Sequence, residues 1–441
     1  MSRFTPRGIH IIGLGVAERA HLTMLAELAV GDADVVIGSE RQLETVRRIV
    51  DIPFSEVEKI PLPPLSELAA LLEKHTGKRV AVLASGDPLY FGIGRWLSQR
   101  FSDEQLYFYP GISSIQAACH SIGLSLQDAQ VISLHGRPLE TLRRHLTQHH
   151  YLVILTDQHS TPQALAQECK QAGFAESSFW VCEKLGYEEQ QVRQFTVNEL
   201  LENNEGSDAS LVFDPLHITI IRVVGKSGYL PSFPGIADAH FITDGEPGKG
   251  LITKREVRLS ILSLLQAAPG DTVWDIGAGC GGVAVELALW SPLAQVYAIE
   301  HHTARLDCLA QNRARFGVVN NLNIISGHAP DVLGDLPNAN KIFIGGSDGE
   351  LSVLLEQLWA DLPEHGVIVA SAVMESSRAC LVQFTDVVKV TGEVETLQIA
   401  VSRGGELAGQ LLYRPALPVT LFKFTKHNTN HTAKGEEHDA D

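Results

Sequence analysis

The stretch Val273 to Gly282, VWDIGAGCGG, concentrates residues able to hold a small charged ligand. Gly277, Gly279 and Gly282 satisfy the G-x-G-x-x-G of a dinucleotide-binding turn. Asp275, Gly277, Gly279 and Gly281 equally satisfy acid-x-G-x-G-x-G, the pattern of a loop for S-adenosylmethionine (SAM). Such a loop feeds a helix N-terminus, where free N–H groups and the dipole face the ligand. A dinucleotide brings a pyrophosphate there, and Asp275 would repel it. SAM brings a sulfonium and an ammonium, which Asp275 favours directly or through water. The acid selects SAM.

The following residues extend that site. QVYAIE ends in Glu300, placed to accept hydrogen bonds from ribose hydroxyls. The next strand ends in SGHAP, where the backbone at His328 and Ala329 is placed to meet adenine. IGGSDGEL supplies Gly345, Gly346 and Gly349 for close backbone approach. Its Asp348 and Glu350 are candidates to orient a substrate, with helix capping an equal alternative. Upstream, Lys249, Lys254, Arg255 and Arg258 form either a solvated face or a lid that neutralises substrate carboxylates; Thr253 is placed to close over the cofactor.

Two repeating patterns must position these residues. TVWDIG, QVYAIE, LNIISG, KIFIGG and GVIVASAV read as strands with one helix between each pair, which predicts a seven-stranded doubly wound sheet. The first half opens similarly, with IHIIGLG running into a helical pattern. DVVIG, RVAVLAS, QLYFYPG, AQVISLHG, YLVILTD and HITIIRVVG then alternate with helices, which predicts parallel α/β sheets in two lobes. The expected domains are 1–228 (lobes about 1–112 and 113–228) and 241–425, joined by a Gly- and Pro-broken linker, 229–240. A disordered polar tail, 426–441, follows.

Composition narrows the function classes. With 441 residues, 44% hydrophobic and 20% charged, the chain reads as a soluble multidomain enzyme. No apolar run approaches the ~20 residues that span a bilayer, so no membrane partner is expected. A net charge of −17 argues against a nucleic-acid partner and means that a polyanionic substrate needs local basic groups. Six scattered cysteines without a C-x-x-C pair argue against disulfides and structural zinc, and point to the cytoplasm.

The motifs together resemble known families. LITKREVR, VWDIGAGCGG, VYAIE, GHAPDVL and FIGGSDGEL resemble the decarboxylating precorrin-6B methyltransferases of cobalamin biosynthesis. IIGLG, LASGDPLYFGIG, PGISSIQAA and VISLHGR resemble the tetrapyrrole methylases. Fused in this order, the two resemble the bifunctional precorrin-6Y C(5,15)-methyltransferase family. The resemblance implies a two-lobed tetrapyrrole methylase fold followed by a Rossmann-like class I methyltransferase, with one SAM in each. It implies a polycarboxylate tetrapyrrole substrate, methylated at carbons 5 and 15 with loss of the ring C acetate carboxyl, and no metal; a homo-oligomer is expected. Another tetrapyrrole acceptor, or an N-terminal half that only binds, stays open. Carried over residue by residue, SAM contacts fall on Gly13, Gly15, Gly86, Asp87, Pro88, Ser113 and Ser114 in the first half. In the second they fall on Thr253, Gly277, Ala278, Gly279, Cys280, Gly281, Glu300 and Ala329. Where the family often has a further Pro-Gly after the second glycine of the first loop, this chain has Val16 and Ala17.

Overall fold

In the computed structural model of the chain, residues 5–16, 18–49, 57–202, 211–245 and 250–427 are described. Two compact units divide the chain: Met1–Leu139 with Thr147–Lys226, and Glu140–Leu146 with Ser227–Asp441. Among the described residues, no helix is long and apolar enough to cross a membrane.

The first unit holds two sheets. Strands β1 (Gly8–Gly13), β2 (Val35–Gly38), β3 (Glu58–Pro61), β4 (Arg79–Ala84) and β5 (Leu106–Tyr109) form a parallel sheet, order β3-β2-β4-β1-β5. Apart from the buried His10 of β1, its inner strands are apolar runs because both faces are covered. Ile12, Val36, Ala81 and Leu83 enter the core on one face, while Ile11, Val35, Ile37, Val80 and Val82 enter it on the other.

The second sheet departs from the expected parallel pattern. Strands β6 (Ala129–Ser133), β7 (Tyr151–Leu155), β8 (Ser178–Glu183), β9 (Gln191–Thr196) and β10 (His217–Arg222) order as β6-β7-β10-β8-β9. Only β6 and β7 pair in parallel; β10 is antiparallel to β7 and β8, and β9 is antiparallel to β8. The segment between β8 and β9 carries no helix, and a parallel pair needs a long crossover.

The second unit is built on β11 (Thr272–Ile276), β12 (Gln295–Glu300), β13 (Leu322–Ser326), β14 (Lys341–Ile344), β15 (Val367–Ala372), β16 (Gly392–Ile399) and β19 (Val419–Lys426). The seven strands order as β13-β12-β11-β14-β15-β19-β16, and β19 runs antiparallel between its neighbours. A separate hairpin, β17 (Ser402–Leu407) with β18 (Gln410–Pro415), lies between β16 and β19 in sequence. The order reverses at β11 and β14, so the loops after these two strands open the crevice where a ligand binds.

Residues 229–240, read from sequence as a linker, are part of this unit. Ile236 lies in its core, with Tyr229 and Leu230 packed against it. Arg258, offered above as a substrate cation, is fully buried and fastens the segment. Its guanidinium meets Glu286 at 2.6 Å and Asp238 at 3.1 Å, and it donates to the carbonyl of Ile236. Glu286 in turn accepts the Gly235 and Ile236 amides at 2.8 and 3.1 Å. A buried ion pair whose partners are also bonded to backbone is a structural knot, not a cation held ready for a ligand. The segment Glu140–Leu146 also belongs here: Arg144 donates to Asn321 Oδ1 at 3.0 Å and to the Ala288 carbonyl at 2.9 Å. At the C-terminal end, Lys426 closes β19 and its ammonium meets the Trp359 and Leu362 carbonyls at 2.7 Å. The expected tail from 428 onward lies outside the described residues, as do Ala17 and Lys249.

Candidate functional sites in the two units

In the first unit, three backbone segments meet where three glycines stand. A Cβ on Gly13 would lie 2.6 Å from the Gly111 nitrogen and 2.7 Å from the Gly86 oxygen. One on Gly111 would lie 2.5 Å from the same Gly86 oxygen. Side chains there would push the loops after β1, β4 and β5 apart. Gly15 and Gly86 then pair across the gap through two backbone bonds, 3.1 and 3.4 Å.

An open cleft of about 240 Å³ lies beside this junction, lined by the loops after β1 and β4, helix Glu40–Arg47 and strands of the second sheet. Of the residues expected to contact a cofactor, Gly15, Gly86 and Ser114 line it, as does Val16. Gly13, Asp87, Pro88 and Ser113 do not; they build its frame. Asp87 accepts the Leu89 and Tyr90 amides and reaches the Gly111 amide at 3.4 Å. The Pro88 carbonyl accepts from Gly94, and Ser113 caps helix Ser114–Ser121 through a capping box with Gln116. Sequence reasoning missed Arg41, Gln42, Thr45, Thr156, Tyr187 and His217 in this lining. They carry no motif, and the first three sit on a short helix whose spacing reads as surface.

In the second unit, the loop after β11 turns through left-handed backbone at Gly277 (φ 72°), Gly279 (φ 57°) and Gly281 (φ 88°). A Cβ on Gly277 would lie 2.7 Å from the Gly346 nitrogen, so the loops after β11 and β14 touch through glycine alone. Thr253, Lys254, Gly277, Ala278, Gly279, Glu300, Gly345, Gly346 and Asp348 line the cleft above them, with Arg305, Ser371, Val373 and Val419 as additions. His328 and Ala329 line its narrow extension.

The remaining expected contacts lie elsewhere. Cys280 is fully buried, and burial pushes its thiol up to about 12. Gly281 faces Leu309 and starts helix Gly282–Trp290. Arg255 is exposed beside Glu256 and does not line the cleft. Glu350 occupies the N-cap of helix Leu351–Asp361, yet its side chain makes no cap bond.

Two acids set the electrostatics. Glu300 is buried; it accepts the Gly279 amide at 2.9 Å and the His301 and His302 amides at 2.9 Å each. Asp275 is 1% exposed and neither oxygen has a hydrogen bond of normal geometry. Burial pushes it up to about 7; the Ala284 amide partly opposes the rise and the Glu300 charge adds to it. Asp275 therefore lies behind the loop and does not line the cleft. With no cation paired to it among the described residues, the ionised form of Asp275 would be favoured by a positive charge held near the glycine loop. On the cleft wall, His301 Nδ1 and His328 Nε2 converge on one oxygen of Asp348, at 3.4 and 3.2 Å.

Both units match family models, in the order of the chain. Residues 8–201 match Tetrapyrrole (Corrin/Porphyrin) Methylases and residues 243–426 match the Precorrin methyltransferase domain. A Sinorhizobium sp protein, "Precorrin-6Y C(5,15)-methyltransferase [decarboxylating]", is 34% identical over 94% of this chain and 96% of its own. Two shorter proteins each match 43% of the chain. "Probable cobalt-precorrin-6B C(15)-methyltransferase (decarboxylating)" of Pyrobaculum aerophilum is 34% identical over 94% of its length. "Cobalt-precorrin-7 C(5)-methyltransferase" of Salmonella typhimurium is 30% identical over 90% of its length. With two glycine-built clefts in two units of different topology, each unit carrying its own model, the chain belongs to the decarboxylating precorrin-6Y C(5,15)-methyltransferase family.

Proposed function

We propose that the chain methylates precorrin-6B twice, at carbons 15 and 5, and removes the ring C acetate carboxyl as carbon dioxide, giving precorrin-8. The second unit carries the decarboxylation and the carbon 15 methylation, and the first unit carries the carbon 5 methylation. The observation that supports this division is the presence of two separate glycine-cradled clefts, one per unit. Each would take its own SAM, which supplies an already activated methyl group.

In the second cleft, Thr253, Gly277, Ala278, Gly279 and Glu300 would hold the cofactor, with the Ala329 backbone at the adenine end. Asp275 behind the loop supplies negative charge toward its cationic end. In the first, Gly15, Gly86 and Ser114 would do so, framed by Gly13, Asp87, Pro88 and Ser113. The protein's part is alignment: an electron-rich ring carbon must be held in line with the methyl carbon. Loss of carbon dioxide leaves an electron pair on the acetate methylene, which takes a proton to become a methyl group. Each ring methylation releases S-adenosylhomocysteine. Lys254 and Arg305 are the second cleft's cations for substrate carboxylates, and Asp348 with its two histidines forms a polar wall. The chemistry calls for no metal, and the cytoplasm fits these reactions.

The test is incubation of the full chain with SAM and precorrin-6B, followed by mass spectrometry. Two methyl groups gained with one carbon dioxide lost supports the reading; a methylated product that keeps every carboxyl rejects it.

A further inference from the structure

The first-unit cleft is unusual in its charge. The chain carries a net charge of −17, yet among the described residues that line this cleft there is no Asp or Glu. Among those described residues the one permanent charge is Arg41, on helix Glu40–Arg47. Among the described residues Arg41 forms no ion pair; its guanidinium meets only the Ser85 hydroxyl, at 3.3 Å. A guanidinium keeps its charge at any working pH and presents its donors as a planar fork.

The neighbours of Arg41 carry the argument further. Gln42 Nε2 also donates to Ser85 Oγ, at 3.1 Å. A serine hydroxyl has two lone pairs and one proton. With both lone pairs taken by Arg41 and Gln42, Ser85 has only its proton left to offer. The Gln42 carbonyl oxygen is turned to the Ser39 amide, which takes one of its two lone pairs at 2.8 Å as part of the helix cap. Apart from one remaining lone pair on Gln42 Oε1, the free capacity of Arg41, Gln42 and Ser85 is thus made of donors. All three line the cleft, and Ser85 directly precedes Gly86. A group rich in donors, with one fixed positive charge and no acid among the described lining residues, fits an anion of planar, two-oxygen shape.

We propose that Arg41, Gln42 and Ser85 form a carboxylate-binding subsite of the first cleft. This rests on the reading that the first unit methylates a polycarboxylate tetrapyrrole with SAM. Two carboxylates meet in that reaction: a side arm of the tetrapyrrole and the amino-acid end of SAM. The subsite orients whichever it holds against the Gly15–Gly86 junction.

The test uses the full chain and the variants Arg41→Gln and Arg41→Lys. Arg41 is exposed, so neither change empties the core. Three readouts are needed: the two-site SAM isotherm by calorimetry, binding of the once-methylated, decarboxylated tetrapyrrole followed by its visible absorbance, and the KM for adding the second methyl. Arg41→Gln is expected to weaken one ligand tenfold or more. A raised tetrapyrrole Kd and KM with an unchanged isotherm identifies the tetrapyrrole arm. Weakening of one of the two SAM sites identifies the cofactor carboxylate. Arg41→Lys is expected to recover part of the loss, because charge returns without the fork. Carbon dioxide release, made in the other unit, stays at the wild-type rate. If SAM and tetrapyrrole affinities both stay within twofold of wild type, the subsite is rejected. If the wild-type chain adds no second methyl, the carbon 5 assignment fails, and the two binding readouts still decide the subsite.

Discussion

Glu300 Oε2 accepts the Gly279 amide at 2.9 Å, so the acid that ends β12 also holds the glycine loop that follows β11. Its other oxygen accepts the two amides that lead into helix Thr303–Arg315. One buried carboxylate therefore fixes the cradle and its flanking helix, and presents a remaining lone pair to the cleft.

Glu300→Gln tests that double duty. The amide nitrogen of Gln would face a backbone N–H, donor against donor. Losing a charge-assisted bond costs about 1.5–3 kcal/mol. The variant is expected to bind SAM at least tenfold more weakly at one of two sites and to melt earlier. An isotherm and a melting curve both identical to wild type would remove Glu300 from the site and from the frame.

Gly277→Ala places a Cβ 2.7 Å from the Gly346 nitrogen on backbone of φ 72°. Strain of this kind costs about 1–3 kcal/mol, and the loops after β11 and β14 must separate to relieve it. Carbon dioxide release is expected to fall at least a hundredfold while the second unit still unfolds cooperatively. Normal release from this variant would show that the close contact of the two loops is dispensable.

Asp275 sets a pH dependence whose sign is fixed by its raised value. Between the unfolded value near 4 and about 7, the folded protein holds a proton that the unfolded chain has lost. Its contribution to stability is complete below pH 4 and is lost as pH rises toward 7. Asp275→Asn removes that loss, so the stability of the variant relative to wild type should rise between pH 5 and pH 7.5 by more than about 1 kcal/mol. Parallel urea titrations at the two pH values measure it. A cation bound beside Asp275 favours its ionised form, so SAM binding near pH 6 should release protons in the wild type and fewer in the variant.

A C-terminal fragment that starts at Ser227 should be more stable than one that starts at Phe241. The longer piece keeps Ile236 in the core and the Asp238 partner of Arg258. The shorter leaves the buried pair of Arg258 and Glu286 without the backbone groups that complete it, a loss of about 3 kcal/mol or more. Thermal melts of the two fragments check this. Both lack Arg144, so its bonds to Asn321 and the Ala288 carbonyl are missing from either.

Much of this was legible where geometry leaves no choice of residue. Gly13, Gly86, Gly277 and Gly279 are glycines because a Cβ would strike backbone or because the chain turns left-handed, and such positions leave a motif. Glu300 was legible because an acid at a strand end about twenty residues beyond the glycines has a natural role at a ribose. Arg258 was misread: its spacing on helix Arg255–Leu265 suits a lid, and only the fold brings Glu286 and Asp238 to it. Segment 229–240 looked like a linker because Gly and Pro erase periodicity, although irregular backbone packs well when a buried arginine ties its carbonyls. The antiparallel strands of the first unit's second sheet were hidden because apolar runs carry no direction. Arg41 left no signal at all, since a cation on a short helix looks like surface until the cleft beside it is seen to lack acids.

The division of labour between the units is the central claim, and paired glycine variants of the full chain test it most directly. Gly13→Ala forces a Cβ to 2.6 Å from the Gly111 nitrogen in the first unit, and Gly277→Ala does the same to Gly346 in the second. Each variant is incubated with SAM and precorrin-6B, and methyl gain and carbon dioxide are counted by mass spectrometry. Gly13→Ala should give one carbon dioxide and one methyl, and Gly277→Ala no carbon dioxide and no carbon 15 methyl. Loss of carbon dioxide release in Gly13→Ala, or its survival in Gly277→Ala, would contradict the assignment of chemistry to units.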